Sequence, residues 1–140
     1  MRTTLAKFQR GQASSEYVLI LGVVIATVAV IMVSGFQSIE LNLALSSARL
    51  GGIDFTSGMP YFSLGAVNYS INPATKVVNI SPKYTAYGIA SSATYWSAAQ
   101  NSSVRMLLGV FEANQTSLPA DSCVNATYMK YCIWPSITYT

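Results

Sequence analysis

Histidine is absent from this chain of 140 residues, and carboxylates number only five: Glu16, Glu40, Asp54, Glu112 and Asp121. Charged residues make up 9% of the sequence, against about 25% in an ordinary globular domain. Beyond Gly52 the remaining side-chain acids are Asp54, Glu112 and Asp121, so paired-carboxylate, Ser-His-Asp and histidine-metal schemes lack their parts. No phosphate-cradling glycine motif occurs. The chain is therefore not read as an enzyme, and no catalytic residue, metal or cofactor is assigned. Cysteine is scarce too. Cys123 and Cys132 without histidine make a poor metal pair, and a disulfide closing a short loop in an extracellular domain is the expectation.

The formal net charge is +3, yet three of the eight basic residues, Arg2, Lys7 and Arg10, precede a long apolar run. After residue 11 five basic and five acidic residues remain, 5 − 5 = 0. A nucleic-acid partner inferred from the basic pI would rest on that short stub, and none is required.

Between Tyr17 and Ile39 there is no charged residue. At roughly 1.5 Å per residue a helix of this length covers about 34 Å, enough to cross a bilayer core. An ordinary secretory signal places its small-residue cleavage site after the apolar region. Here Arg10-Gly11-Gln12 precedes it, so cutting between Gly11 and Gln12 would leave the apolar segment in the product. The alternative is an uncut anchor, with the basic stub held cytoplasmic. Beyond Ser34-Gly35, the residues Phe36, Ile39, Leu43 and Leu50 fit one apolar stripe on a helix. Arg49 in the final turn and Gly51-Gly52 directly after it read as stop signals. One helix is predicted from about Ala13 to Leu50. The organisation expected is a leader at 1–11, a hydrophobic assembly or transmembrane helix at 12–52, and an extracellular β-rich domain at 53–140.

Past Ile53 strand and turn signals take over. Tyr61–Ile71 and Lys76–Ile80 are rich in β-branched and aromatic residues, and Asn72-Pro73-Ala74-Thr75 between them reads as a hairpin turn. Val104–Glu112 and Thr127–Trp134 are further strand candidates. The predicted fold class is α+β: a long hydrophobic N-terminal helix followed by a small antiparallel sheet or sandwich, one face covered by the helix's amphipathic end. The tyrosines and tryptophans are read as core and cross-strand packing.

Asparagine is placed in a pattern. Five of the seven, Asn68, Asn79, Asn101, Asn114 and Asn125, begin an N-x-S/T sequon, where chance would supply about one or two. All five lie beyond the helix, and N-linked glycans there would supply the hydration that so uncharged a surface lacks.

The stretch Gln12-Ala13-Ser14-Ser15-Glu16-Tyr17 resembles the Q-x-S-x-E-Y signature, with its class III signal peptide, that opens archaeal type IV pilins. The resemblance covers residues 7 to about 35. It implies that a prepilin peptidase removes the basic leader after Gly11, that Glu16 becomes the fifth residue of the mature chain, and that an assembly ATPase and membrane platform polymerise it. It implies a membrane-held precursor and an extracellular helical filament used in adhesion or cell-cell contact. A carboxylate near hydrocarbon costs about 2.5 to 3.5 kcal/mol at the bilayer centre and less near the interface. The resemblance suggests the free N-terminal amine of a neighbouring subunit as its partner, and that pair would set subunit register. Alternatively Glu16 is a first-turn acid favoured by the helix dipole. The rival to a filament is a single-pass, membrane-anchored, glycosylated surface protein that does not polymerise.

Overall fold

The computed structural model describes residues 14–140. The chain divides into two units, Met1–Ser38 and Ile39–Thr140. Helix α1 (Arg2–Gly58) supplies the first unit and contributes its later turns to the second. The architecture is α+β, as its sequence pattern predicts.

In the second unit β1 (Phe62–Asn72) and β2 (Val77–Ala86) form the expected antiparallel hairpin. Asn72 closes the turn through its side-chain oxygen, which accepts from the backbone N–H groups of Ala74 at 3.1 Å and Thr75 at 3.4 Å. Lys76 takes a positive φ of 54°, so the turn ends on a left-handed residue that is not glycine. Next comes α2 (Ala93–Phe111), then β3 (Cys123–Asn125), β4 (Lys130–Ile133) and β5 (Ser136–Tyr139). The order across the sheet is β1-β2-β4-β3, with β5 also on β2. Strands β4 and β5 run parallel to β2, pairing with its first and second halves. They are separated by Trp134-Pro135, where proline has no N–H to give to a ladder. The sheet is thus mixed, not wholly antiparallel, because α2 acts as the crossover that parallel pairing requires.

Two further expectations are corrected. Val104–Glu112, read as a strand, lies in α2 and its C-cap. The buried positions Ala99, Gln100, Ser103, Val104, Leu107 and Leu108 recur at helical spacing, and Ser92 caps the start by accepting from the Thr94 N–H at 3.2 Å. The apolar Val104–Val110 window shows only part of that face, which is how it resembles a strand.

The second correction concerns the end of α1. The helix does not stop at Leu50 but passes through Gly51-Gly52 to Gly58. Both glycines are buried, and what they provide is closeness. A Cβ on Gly51 would collide with the Ser103 backbone and stand 2.7 Å from the Ser102 carbonyl oxygen. One on Gly52 would stand 2.9 Å from both Leu64 Cδ2 and the Tyr84 hydroxyl. The face of α1 turned to the domain consists of Glu40, Ala44, Ser47, Ala48, Gly51, Gly52 and Phe55. Small residues let the helix approach, so Ala44 and Ala48 enter one core cluster with Val78, Ile80, Val104, Leu107 and Tyr131. Phe55 joins a second with Phe62, Tyr84, Ala86 and Ala99, packing edge-on to Phe62 and Tyr84 with ring centroids 5.1 and 5.3 Å away.

Candidate assembly helix and modification sites

Every residue from Ser14 to Phe36 is exposed, and α1 from Ser14 is long and apolar enough to cross a membrane. Glu16 sits exposed at the start of this surface. Gly11 and Gln12, the expected cleavage junction, lie outside the described residues.

Within the second unit the apolar stripe of α1 does not form the buried face expected of it. Ile39, Leu43, Leu50 and Ile53 are 63%, 44%, 57% and 50% exposed. At roughly 100° per residue they fall on one stripe, on a side of the helix away from the Ala44-Ala48-Gly51 face. The domain buries Ala44, Ala48, Gly51 and Phe55 and leaves this stripe outward.

One carboxylate is drawn in. Glu40 is 8% exposed and accepts from the backbone N–H groups of Tyr128 and Met129, each at 3.1 Å, and from the Tyr131 phenol at 3.1 Å. The donors satisfy the charge and bind α1 to the β3–β4 turn. Burial first, and then the charge and hydrogen bond of Glu40, push the Tyr131 phenol well above its ordinary value. The sequence pattern does not reveal this role; the available signal is a lone acid between Ile39 and Leu41 on a helix that docks. Further along α1, beside Gly52, the Tyr84 hydroxyl is buried with no hydrogen-bond partner. Ser103, beside it, donates instead to the Ala48 carbonyl at 3.0 Å, and burial raises the Tyr84 phenol.

The sequons divide by position. Asn68, Asn79 and Asn125 are exposed on β1, β2 and β3. Their chain neighbours Val67, Val78, Ile80 and Val124 pack into the core, so strand alternation turns all three to the sheet face opposite the helices. Asn114 is exposed in the loop after α2. Asn101 is different: it is half-buried within α2, and its sequon hydroxyl, Ser103, is fully buried. Four of the sequon asparagines are exposed on the folded domain, and the fifth is partly covered.

Cys123 and Cys132 are disulfide-bonded, as expected, and stand directly opposite each other on β3 and β4. Lys130 and Asp121 pair at 2.8 Å, and this contact, followed by the Cys123 N–H, holds the Asp121 carboxyl below its usual range. Among the described residues no three side chains of the metal-ligating kind come together. A concavity of about 550 Å³ between α2 and the following loop is lined by Arg105, Leu108 and Gln115 among others, without a carboxylate or thiol.

No family model, no curated protein and no solved structure matches this chain.

Proposed function

We propose that this chain is the structural subunit of an archaeal type IV pilus, polymerising through α1 and displaying a glycosylated domain for adhesion or cell-cell contact. The observation that carries the reading is the stripe Ile39, Leu43, Leu50 and Ile53, exposed on α1 beyond the membrane-length segment. A membrane anchor needs about 20 apolar residues, and the run up to Phe36 already supplies them. Further large apolar side chains on a docked part of the helix have no use in an anchor. In a bundle of such helices they have neighbours, because each copy offers the same stripe to the next.

The same segment serves two states: in the membrane it holds the precursor, and in the filament it becomes the core. Glu16, at the start of that surface, pairs with the amine freed by leader removal on a neighbouring copy and sets how far each helix advances. A prepilin peptidase and an assembly ATPase on a membrane platform act before this step. The filament needs no nucleic acid. N-linked glycans at the sequons coat the outside.

The test is to shear surface filaments from cells, view them by electron microscopy and map the N-terminal peptide of the subunit. Filaments whose chains begin at Gln12 are expected. Monomeric released protein beginning at Met1 would replace this reading with the uncut anchor.

A further inference from the structure

Asn79 differs from the other sequon asparagines in having an aromatic neighbour that orients it. The Trp134 indole N–H donates to the Asn79 side-chain oxygen at 3.1 Å. An indole nitrogen is a donor only, so the contact fixes which end of the amide faces the ring. The oxygen is engaged, and Nδ2, the atom that glycosylation modifies, makes no hydrogen bond among the described residues. Trp134 is held in turn. Its backbone N–H donates to the Ile80 carbonyl at 2.8 Å, and its ring lies 6.4 Å from that of Trp96, whose own indole N–H donates to the Pro135 carbonyl at 2.7 Å. Despite these supports Trp134 remains 46% exposed, an aromatic surface beside an oriented acceptor amide.

We propose that Asn79 is an N-glycosylation site whose first sugar rests on the Trp134 ring, with Trp134 as its positioning residue. The proposal rests on the reading of this domain as secreted and N-glycosylated. The donor is a lipid-linked phosphate or pyrophosphate sugar. A bond forms between Asn79 Nδ2 and C1 of the sugar, the C1–O bond to the donor phosphate breaks, the lipid phosphate leaves with the electron pair, and Nδ2 gives up one of its two protons. The side-chain oxygen survives this reaction, so the Trp134 hydrogen bond persists in the product and keeps the sugar beside the ring. The C–H face of a pyranose is apolar and covers indole surface now open to water, while the sugar hydroxyls face outward.

The test uses full-length protein from its native source. Peptide mapping should find Asn79 occupied. Ser81→Ala destroys the sequon but keeps the Asn79 amide and its hydrogen bond; Ser81→Thr keeps the sequon. Ser81→Ala should lower the thermal midpoint and speed exchange of the Trp134 indole proton several-fold, and Ser81→Thr should do neither. The midpoint loss should vanish in a Trp134→Ala background and persist with Trp134→Phe, which retains a ring. The indole exchange comparison needs no change at Trp134, so it decides the matter even where Trp134→Ala fails to fold. A bare Asn79 beside occupied Asn68, Asn114 or Asn125 would overturn this proposal alone; five bare sequons would overturn the glycosylation reading beneath it. Equal indole exchange in glycosylated wild type and Ser81→Ala would show that the sugar does not touch the ring.

Discussion

The carboxylate of Glu40, on α1, accepts a hydrogen bond from the phenol of Tyr131, on β4, at 3.1 Å. The two residues stand 91 positions apart, and with the Tyr128 and Met129 N–H groups they bind the helix to the far end of the sheet. Glu40→Gln replaces one acceptor oxygen with a donor that faces donors. An unsatisfied buried group costs about 1 to 3 kcal/mol, and a loss of that size is expected in denaturant melts of the full chain in detergent. Wild-type stability would remove Glu40 from this role.

Alkali should loosen the same contact. The Tyr131 phenol is raised by burial first and then by the Glu40 charge, and Tyr84 is raised by burial. A folded-state pKa above the unfolded one means that the native state holds its proton longer. The contribution is therefore complete below about pH 10, the ordinary tyrosine value, and is lost as pH rises past it. Stability measured from pH 8 to 12 should fall on the alkaline side, and Tyr131→Phe should flatten that fall in part, leaving the Tyr84 share.

Glycines on α1 should respond oppositely to the same substitution. Gly22→Ala meets nothing within 4 Å and should gain up to about 1 kcal/mol of helix propensity in the monomeric chain. Gly51→Ala would place its methyl 2.7 Å from the Ser102 carbonyl oxygen. Overpacking costs about 1 to 3 kcal/mol, so a net loss is expected. Helicity and thermal midpoints of the two variants check the contrast.

Reduction of the Cys123–Cys132 bridge removes a constraint spanning a separation of 9 residues, worth roughly 2.5 kcal/mol in the chain-entropy model. Thermal scans with and without reductant should differ by a clear drop in midpoint. No change would mean that the short β3–β4 ladder and Glu40 hold the turn unaided.

On the proposed filament reading, assembly should fail before folding does. Leu43→Asp and Leu50→Asp alter side chains already in contact with water, so the folded domain should keep its thermal midpoint while sheared filaments disappear. Glu16→Gln should likewise leave the subunit folded but slow assembly or change helical rise. Normal filaments from all three variants would detach α1 from the subunit contact.

Much of this molecule is legible one residue at a time. The uncharged run before Ile39 dictates a helix long and apolar enough to cross a membrane, the Asn72-Pro73 turn points to a hairpin, and a pair of cysteines in a chain without histidine points to a bridge. These follow from local chemistry, which each segment carries with it. The α2 window misread as a strand, and the true end of α1, depend on what lies across the fold. Gly51 ends a helix by propensity yet continues one here, because the Ser103 backbone needs the space a side chain would fill. The choice of which face of α1 is buried was likewise decided only in three dimensions. Hydrophobicity alone would bury Leu43 and Leu50, but close packing against α2 and the sheet selects Ala44, Ala48 and Gly51 and leaves the larger residues outward. The sequence alone determined that this chain has a membrane-length apolar helix and a disulfide-bridged domain; the tertiary structure decided which surface of that helix is left uncovered by the domain, because steric fit, not hydrophobicity, governs how near two backbones come.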